Sequence, residues 1–242
     1  MGRPSKLQRA LEDLLGRRAP WEAVEEAREL LYGVCLASGI EEGRCDEIDY
    51  SYSWAVTDYY AGVTGADREK ALKGIEEVMG RFELRGRCLV EKGVSVEDPS
   101  VCEGDPGEGL VVVGSRMQLF VNRLARGAVV RVGGSCAAAV GATSAWSRSA
   151  LRKLRAGRRG LLEHDEYGAV FAVGRCSLGD LPRLAEEALD LHYRDVYEDC
   201  KIVWGDSEMS WEETEAALIA EDEELEDCLK LLRELEGGGG RA

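Results

Sequence analysis

Between residues 109 and 162 the chain has no aspartate and no glutamate, although it carries 46 acids and a formal charge of -15 overall. An even spread of acids over 242 residues would place about ten of them in that window. Side-chain amides are also scarce: Asn122 is the single asparagine, and Gln8 and Gln118 are the only glutamines. Depletion of thermolabile amides beside abundant Glu and Arg is the composition expected of a thermophile's protein. No run approaches the roughly 18 uncharged apolar residues of a membrane-spanning helix, and residues 1–18 are charged and amphipathic, without the apolar core of a secretory signal. These absences predict a soluble, cytoplasmic protein that does not enter a membrane. The eight cysteines (Cys35, Cys45, Cys88, Cys102, Cys136, Cys176, Cys200 and Cys228) include no CxxC pair and no cluster at zinc spacing. That pattern argues against zinc ribbons and iron-sulfur centres, so no metal and no cofactor is expected. Most of the cysteines read as buried small apolar residues. Intracellular disulfides are compatible with a thermophile, but the spacing specifies no pairing. Neither a GxGxxG fingerprint nor a Walker loop is present.

What the acid-free window does hold is ten cations: Arg116, Arg123, Arg126, Arg131, Arg148, Arg152, Lys153, Arg155, Arg158 and Arg159. Residues 1–108 carry a net charge of -9, residues 109–204 a net +4, and residues 205–242 a net -10. A ligand feels the charges within a Debye length of about 8 Å, not the average over the molecule. An acidic chain can therefore still present a cationic surface, and such a surface attracts phosphate, nucleic acid or an acidic protein segment.

With 45% apolar residues the chain can bury a full core. Three regions are expected: a helical or mixed region over 1–100, a basic α/β region over 101–205, and an acidic amphipathic helix with a flexible tail over 206–242. Ser5 can cap a first helix carrying Leu7, Leu11, Leu14 and Leu15. Pro20 stands where a second helix would begin, with Val24, Ala27, Leu31 and Cys35 on one face. Residues 46–60, DEIDYSYSWAVTDYY, fit two periods: Ile48, Tyr50, Tyr52, Trp54 and Val56 alternate like a strand, while Ile48, Tyr52, Val56 and Tyr60 recur like a helix. The first half is read as strand. The spacing of Ala71, Leu72, Ile75, Val78, Met79 and Phe82 predicts a helix over 66–82. A short strand over 88–96 follows, and then EDPSVCEGDPGEG, a loop or domain boundary.

In the basic region, LVVV at 110–113 predicts a buried strand, Gly114 and Ser115 a turn, and 117–125 a helix. AVVRV at 128–132 predicts a second strand, with Gly133, Gly134 and Ser135 leading into a helix over 136–140. A strand, a Gly-Ser turn and a helix would then occur twice. Helix N-termini leave backbone N–H groups free and favour negative charge, which makes Gly114, Ser115, Gly134 and Ser135 candidate phosphate donors. Gly and Ser also occur in such turns for φ freedom and capping alone. The densest cationic stretch is WSRSALRKLRAGRR, 146–159. A helix from Ser147 sets Arg148, Arg152 and Arg155 on one side and Leu151 and Leu154 toward the core. Arg158 and Arg159 fall on the turn after it. Together with Lys153 these cations are the ones expected to meet phosphate, and Trp146 is placed to stack on a base. The competing reading is a solvated face or a set of ion-pair partners.

Two sites suit catalysis. Cys136, at the start of the expected second helix, is where a thiol pKa falls, but neither His164 nor His192 is placed beside it as a base, so packing within CAAAVGA is the default. His164, Asp165 and Glu166 precede an apolar strand over 168–173 and would suit a divalent cation or acid–base work. Adjacent residues on an extended chain face opposite sides, so a polar loop is the simpler reading. His192, in a helix over 181–200 beside Tyr193 and Tyr197, reads as a surface or capping histidine.

Near the C-terminus Ser210 and Glu213 form a capping box. Trp211, Leu218, Leu225 and Leu232 follow at intervals of seven, with Cys228 and Leu235 in the second seam position. A helix over 210–236 would be about 40 Å long, with 11 acids against two bases. Packing on its own domain, or dimerisation through Leu218, Leu225 and Leu232, is preferred to a third arrangement in which it lies over the basic region. The four glycines at 237–240 read as a flexible tail.

The succession LVVVGSRMQLFVNRL, GGSCAAAV, GRRGLLEHDEYGAVFAV and LPRLAEEAL resembles the C-terminal half of a group of uncharacterised archaeal and bacterial proteins, the domain of unknown function 169 family. Shared features are an apolar strand leading to a Met/Gln element, a Gly/Ser and Cys element, a Gly-Arg step, and an acidic pair before an apolar strand. The resemblance spans about residues 109–190 and implies no established activity.

The sequence thus predicts an α/β or α+β protein: a mixed sheet with flanking helices, a helical N-terminus and a long acidic C-terminal helix. Its expected function is to bind an anionic partner, nucleic acid or a phosphorylated small molecule, through residues 109–162. The alternatives are an enzyme on a small anionic substrate, using Cys136 or the His164, Asp165 and Glu166 group, and an assembly protein using the C-terminal seam.

Overall fold

The computed structural model describes residues 21–60, 67–104, 109–122, 127–140, 145–165 and 168–193. Three helices come first: α1 (Trp21–Ala37), α2 (Glu42–Tyr60) and α3 (Asp67–Met79). Strands β1 (Phe82–Arg85), β2 (Cys88–Glu91), β3 (Leu110–Val113), β4 (Gln118–Asn122), β5 (Gly127–Val132) and β6 (Ser135–Val140) follow. Helix α4 (Arg148–Arg155), strands β7 (Gly160–Asp165) and β8 (Gly168–Arg175), and helix α5 (Leu181–Tyr193) complete the described part. The strands form one mixed sheet in the order β1-β2-β3-β4-β5-β6-β8-β7. Within it β2 and β3 are parallel, and the other neighbours are antiparallel.

A parallel pair needs a crossover, and the Pro/Gly/Asp stretch after β2 supplies it. Asp98 caps a single 3-10 turn, Pro99–Cys102, by accepting from the Ser100 N–H at 3.0 Å. Strands on both sides of this stretch pair in the one sheet.

The sheet is buried on both faces. Val111, Phe120, Val129 and Phe171 pack with Leu181, Leu184 and Ala188 of α5, while Val112, Leu119, Val130 and Ala172 pack with α1 to α4 on the other side. Strands covered on both faces read as continuous apolar runs, which periodicity cannot distinguish from helix. That is why the described part of 117–125 holds β4, and 136–140 lies in β6, where helices were expected. In β6 the alanines are small enough for α4 and α5 to contact the same strand from opposite faces.

The first half of 46–60 also departs from expectation: it lies in α2, not in a strand. Cys45 and Ile48 are buried and Tyr52 half-buried, a helical spacing, while Tyr50 and Trp54, which made the pattern alternate, are exposed. The expected helices at 20, 66–82, 147 and 181, and the strands at 88, 110, 128 and 168, are found in α1, α3, α4, α5, β2, β3, β5 and β8. The helix capped by Ser5, residues beyond α5, and the acidic C-terminal helix with Leu218, Leu225 and Leu232 lie outside the described residues.

The six described cysteines are buried or half-buried but not independent. Disulfides join Cys35 to Cys45, Cys88 to Cys102 and Cys136 to Cys176, and among the described residues no cysteine is free. The first ties α1 to α2, the second ties β2 to the crossover, and the third ties β6 to the segment after β8.

Candidate anion-binding surface

Helix α4 is short and built from both sides. Ser147 caps it, its Oγ accepting from the Ala150 N–H at 3.1 Å. Ala150, Leu151 and Leu154 are buried, and each leucine contributes about 1.5–3 kcal/mol by leaving water. At the other end Gly157 (φ +75°) donates to the Leu154 carbonyl, and Arg158 N–H donates to Lys153, both at 3.0 Å. This is a Schellman ending, which a left-handed glycine permits and which turns the chain out of the helix. It delivers Arg158 and Arg159 to the surface just before β7. Cations in the last turn, Arg152, Lys153 and Arg155, also complement the negative end of the helix dipole.

The six cations of this stretch are not equivalent. Arg148 pairs with Glu42 at 3.1 Å and also with Asp46, both on α2. Lys153 Nζ donates to the Leu162 carbonyl at 2.7 Å. Arg152, Arg155, Arg158 and Arg159 are exposed, and among the described residues their side chains make no hydrogen bond or ion pair. The strand register places a further cation near them. Gly160 lies opposite Ala172 and Ser135 opposite Arg175, so the start of β7 and the exposed Arg175 share one end of the sheet.

The two Gly-Ser turns do not form the expected helix N-termini. Gly114 and Ser115 sit in the β3–β4 hairpin, where Gly114 N–H donates to Met117 at 3.1 Å. A Cβ on Gly114 would lie 2.1 Å from the Ala37 carbonyl oxygen, so close backbone approach accounts for this glycine. Ser115 N–H donates to Glu91 Oε2 at 2.7 Å, and Gly39 N–H donates to Oε1 at 3.1 Å. The anion at this turn is thus the protein's own carboxylate. Burial pushes the Glu91 carboxyl up, but hydrogen bonds from the Ser115 hydroxyl and N–H and from Gly39, with Arg81 at 4.0 Å, outweigh it and hold the pKa below the ordinary glutamate value. Gly133 and Gly134 (φ +59° and +86°) form the two-residue turn of the β5–β6 hairpin, and Ser135 begins β6. At the start of α4 the Ser147 hydroxyl, which accepts from the Ala150 N–H, donates to Glu163.

Other candidates change character. Cys136 lies in a strand and is bonded to Cys176, so it is neither at a helix start nor a thiol nucleophile. Trp146 is 1% exposed, with its indole N–H donating to the Glu29 carbonyl at 3.1 Å; it is a core residue and offers no face to a base. His164 and Asp165 end β7, opposite Ala169 and Gly168, and Glu166 lies outside the described residues. Among the described residues no group of three or more His, Cys, Asp or Glu is arranged to hold a metal ion.

Other cations of the acid-free window meet acceptors from elsewhere in the chain. Arg131 Nη1 contacts Glu97 and its Nε donates to the Cys176 carbonyl, both at 3.0 Å. Arg116 donates to the Ile40 carbonyl at 2.8 Å, bracing the end of α1. Sequence reasoning missed the exposed pair Tyr50 and Trp54, whose rings meet edge-on with centroids 6.0 Å apart. Their four-residue spacing was the available signal, hidden by the alternating pattern.

No family model, no curated protein and no solved structure matches this chain. Among the described residues no helix is long and apolar enough to cross a membrane.

Proposed function

We propose that this chain is a binding protein that engages an anionic partner, a nucleic acid or a phosphorylated ligand, through α4 and the turn into β7. The observation that carries this reading is the set of four exposed arginines, Arg152, Arg155, Arg158 and Arg159, without partners among the described residues of a chain whose net charge is -15. An arginine fork suits phosphate because its donors match two oxygens at once. In this reading side chains hold the anion: the Ser115 N–H, a candidate donor from the sequence, serves Glu91 in a turn four strands away from β7, and the Ser147 hydroxyl serves Glu163. Arg148 and Lys153 belong to the scaffold of the site more than to its contact surface. The setting is a thermophile's cytoplasm, where three disulfides are compatible with the compartment. The resemblance to the domain of unknown function 169 family adds no residue role. The alternative, catalysis on a small anion, rests on the His164, Asp165 and Glu166 group, since Cys136 is bonded to Cys176.

Fluorescence anisotropy with labelled single-stranded DNA, duplex DNA and RNA at low salt tests the reading. Binding by the full chain, lost when Arg152, Arg155, Arg158 and Arg159 are all replaced by Ala, is the expected result. Binding that survives those substitutions would move the site elsewhere, and no binding to any nucleic acid would leave the phosphorylated small ligand.

A further inference from the structure

The arginine surface does not end at α4. Arg148 joins the first turn of α4 to Glu42 and Asp46 of α2. On α4 the next residue on the same side is Arg152, and on α2 the residues that follow Asp46 at four-residue intervals are Tyr50 and Trp54. Residues four apart on a helix lie on one face about 6 Å apart along the axis. The cationic row and the aromatic row therefore both begin at the Arg148 bridge.

Tyr50 is 64% and Trp54 47% exposed, and with Leu84 they are the only large apolar side chains so exposed among the described residues. Burial is the ordinary fate of a tryptophan in a chain with this much apolar content, as Trp146 shows. Four acids of α2 are ion-paired, Glu42 and Asp46 sharing one arginine and Glu47 sharing Arg44 with Glu77. Glu42 and Asp46 face Arg148, Glu47 faces Arg44 at 2.8 Å, and Asp49 is held by Arg28 at 2.7 Å. Tyr50 also borders a cleft of about 320 Å³ between α2 and α3 to which Lys70 and Lys73 contribute.

We propose that Tyr50 and Trp54 form a base-stacking platform that extends the arginine surface into a site for single-stranded nucleic acid, with phosphates on α4 and unpaired bases on α2. This deepens the proposed function and rests on it. Exposed aromatic faces beside a cationic track are what single strands use, because every base offers a π face and duplexed bases do not. A phosphorylated small molecule or a duplex would use the arginines and leave the rings without a role.

The test compares, by anisotropy with the full chain, a labelled oligothymidylate, an abasic oligomer of the same length and charge, and a duplex. The expected result is at least about tenfold tighter binding to oligothymidylate than to the abasic strand. That preference should disappear in Tyr50→Leu/Trp54→Leu, which keeps apolar bulk but removes the rings, while abasic binding stays unchanged. Equal affinity of the wild-type chain for base-bearing and abasic strands would overturn the stacking platform and leave the arginine reading intact. A preference that persists in the Leu variant would also overturn it. Failure to bind either strand would overturn the platform together with the nucleic-acid form of the arginine reading, and leave the phosphorylated small ligand. The wild-type comparison of strands needs no variant, so it decides the question even if the substitutions disturb folding.

Discussion

Glu91 ends β2 with both carboxylate oxygens accepting backbone N–H groups, from Gly39 and Ser115. It fastens the loop after α1 to the β3–β4 hairpin, so its charge has a structural use. Because its folded-state pKa is depressed, the stability it contributes is present above the unfolded value of about 4.3 and is lost as pH falls through the folded value. Glu91→Gln places an amide NH₂ against a backbone donor and should cost about 1–3 kcal/mol at neutral pH. It should also flatten the acid-induced fall in melting temperature, which thermal melts at neutral pH and near pH 3 would measure. Gly114→Ala sets a methyl group against the Ala37 carbonyl. With backbone on the other side of the clash, a loss of about 3 kcal/mol is expected in denaturant titration. At this scale the sequence was legible in kind but not in partner. The Gly-Ser turn did signal exposed backbone donors, yet the carboxylate that takes the Ser115 N–H comes from 24 residues away, a relation no local pattern contains. Trp146 misled for the same reason, since its partner, the Glu29 carbonyl, is 117 residues away.

Elements were most legible where one face alone is buried. Helix α4 is an example: its cap, its two inward leucines and its outward cations all follow from the spacing of 147–159. Legibility failed where both faces are covered, as in β4 and β6, or where aromatics stay on the surface, as in α2. The misreading of α2 and the stacking platform have one cause, since Tyr50 and Trp54 look like core residues and are not. Cysteine spacing gave no pairing, because Cys136 and Cys176, 40 residues apart, are brought together by the antiparallel register of β6 and β8. Replacing both by Ala should lower stability by roughly 4 kcal/mol, as expected for closing a loop of that length. Nucleic-acid affinity measured well below the melting transition should not change, because neither sulfur is a reacting group. A large loss of binding in a folded double variant would show that the bridge positions the arginines.

Over the whole molecule, the acid-free window is partly an arrangement between distant segments. Acids of the helical region and the crossover, Glu42, Asp46 and Glu97, answer Arg148 and Arg131. Charge segregation along the sequence therefore became pairing in space for some cations, while among the described residues of the window Arg152, Arg155, Arg158 and Arg159, on α4 and the turn beyond it, stay exposed and unpaired. The composition revealed that a basic region exists; only the fold separates the cations it uses for itself from those it presents. The salt dependence of binding measures that surplus most directly. Each phosphate neutralised contributes about -0.7 for a single strand, or -0.9 for a duplex, to the slope of log K against log salt. The slope for oligothymidylate should become shallower by about 3 when Arg152, Arg155, Arg158 and Arg159 are replaced by Ala. Identical slopes in the wild-type chain and the variant would contradict a phosphate contact at this surface.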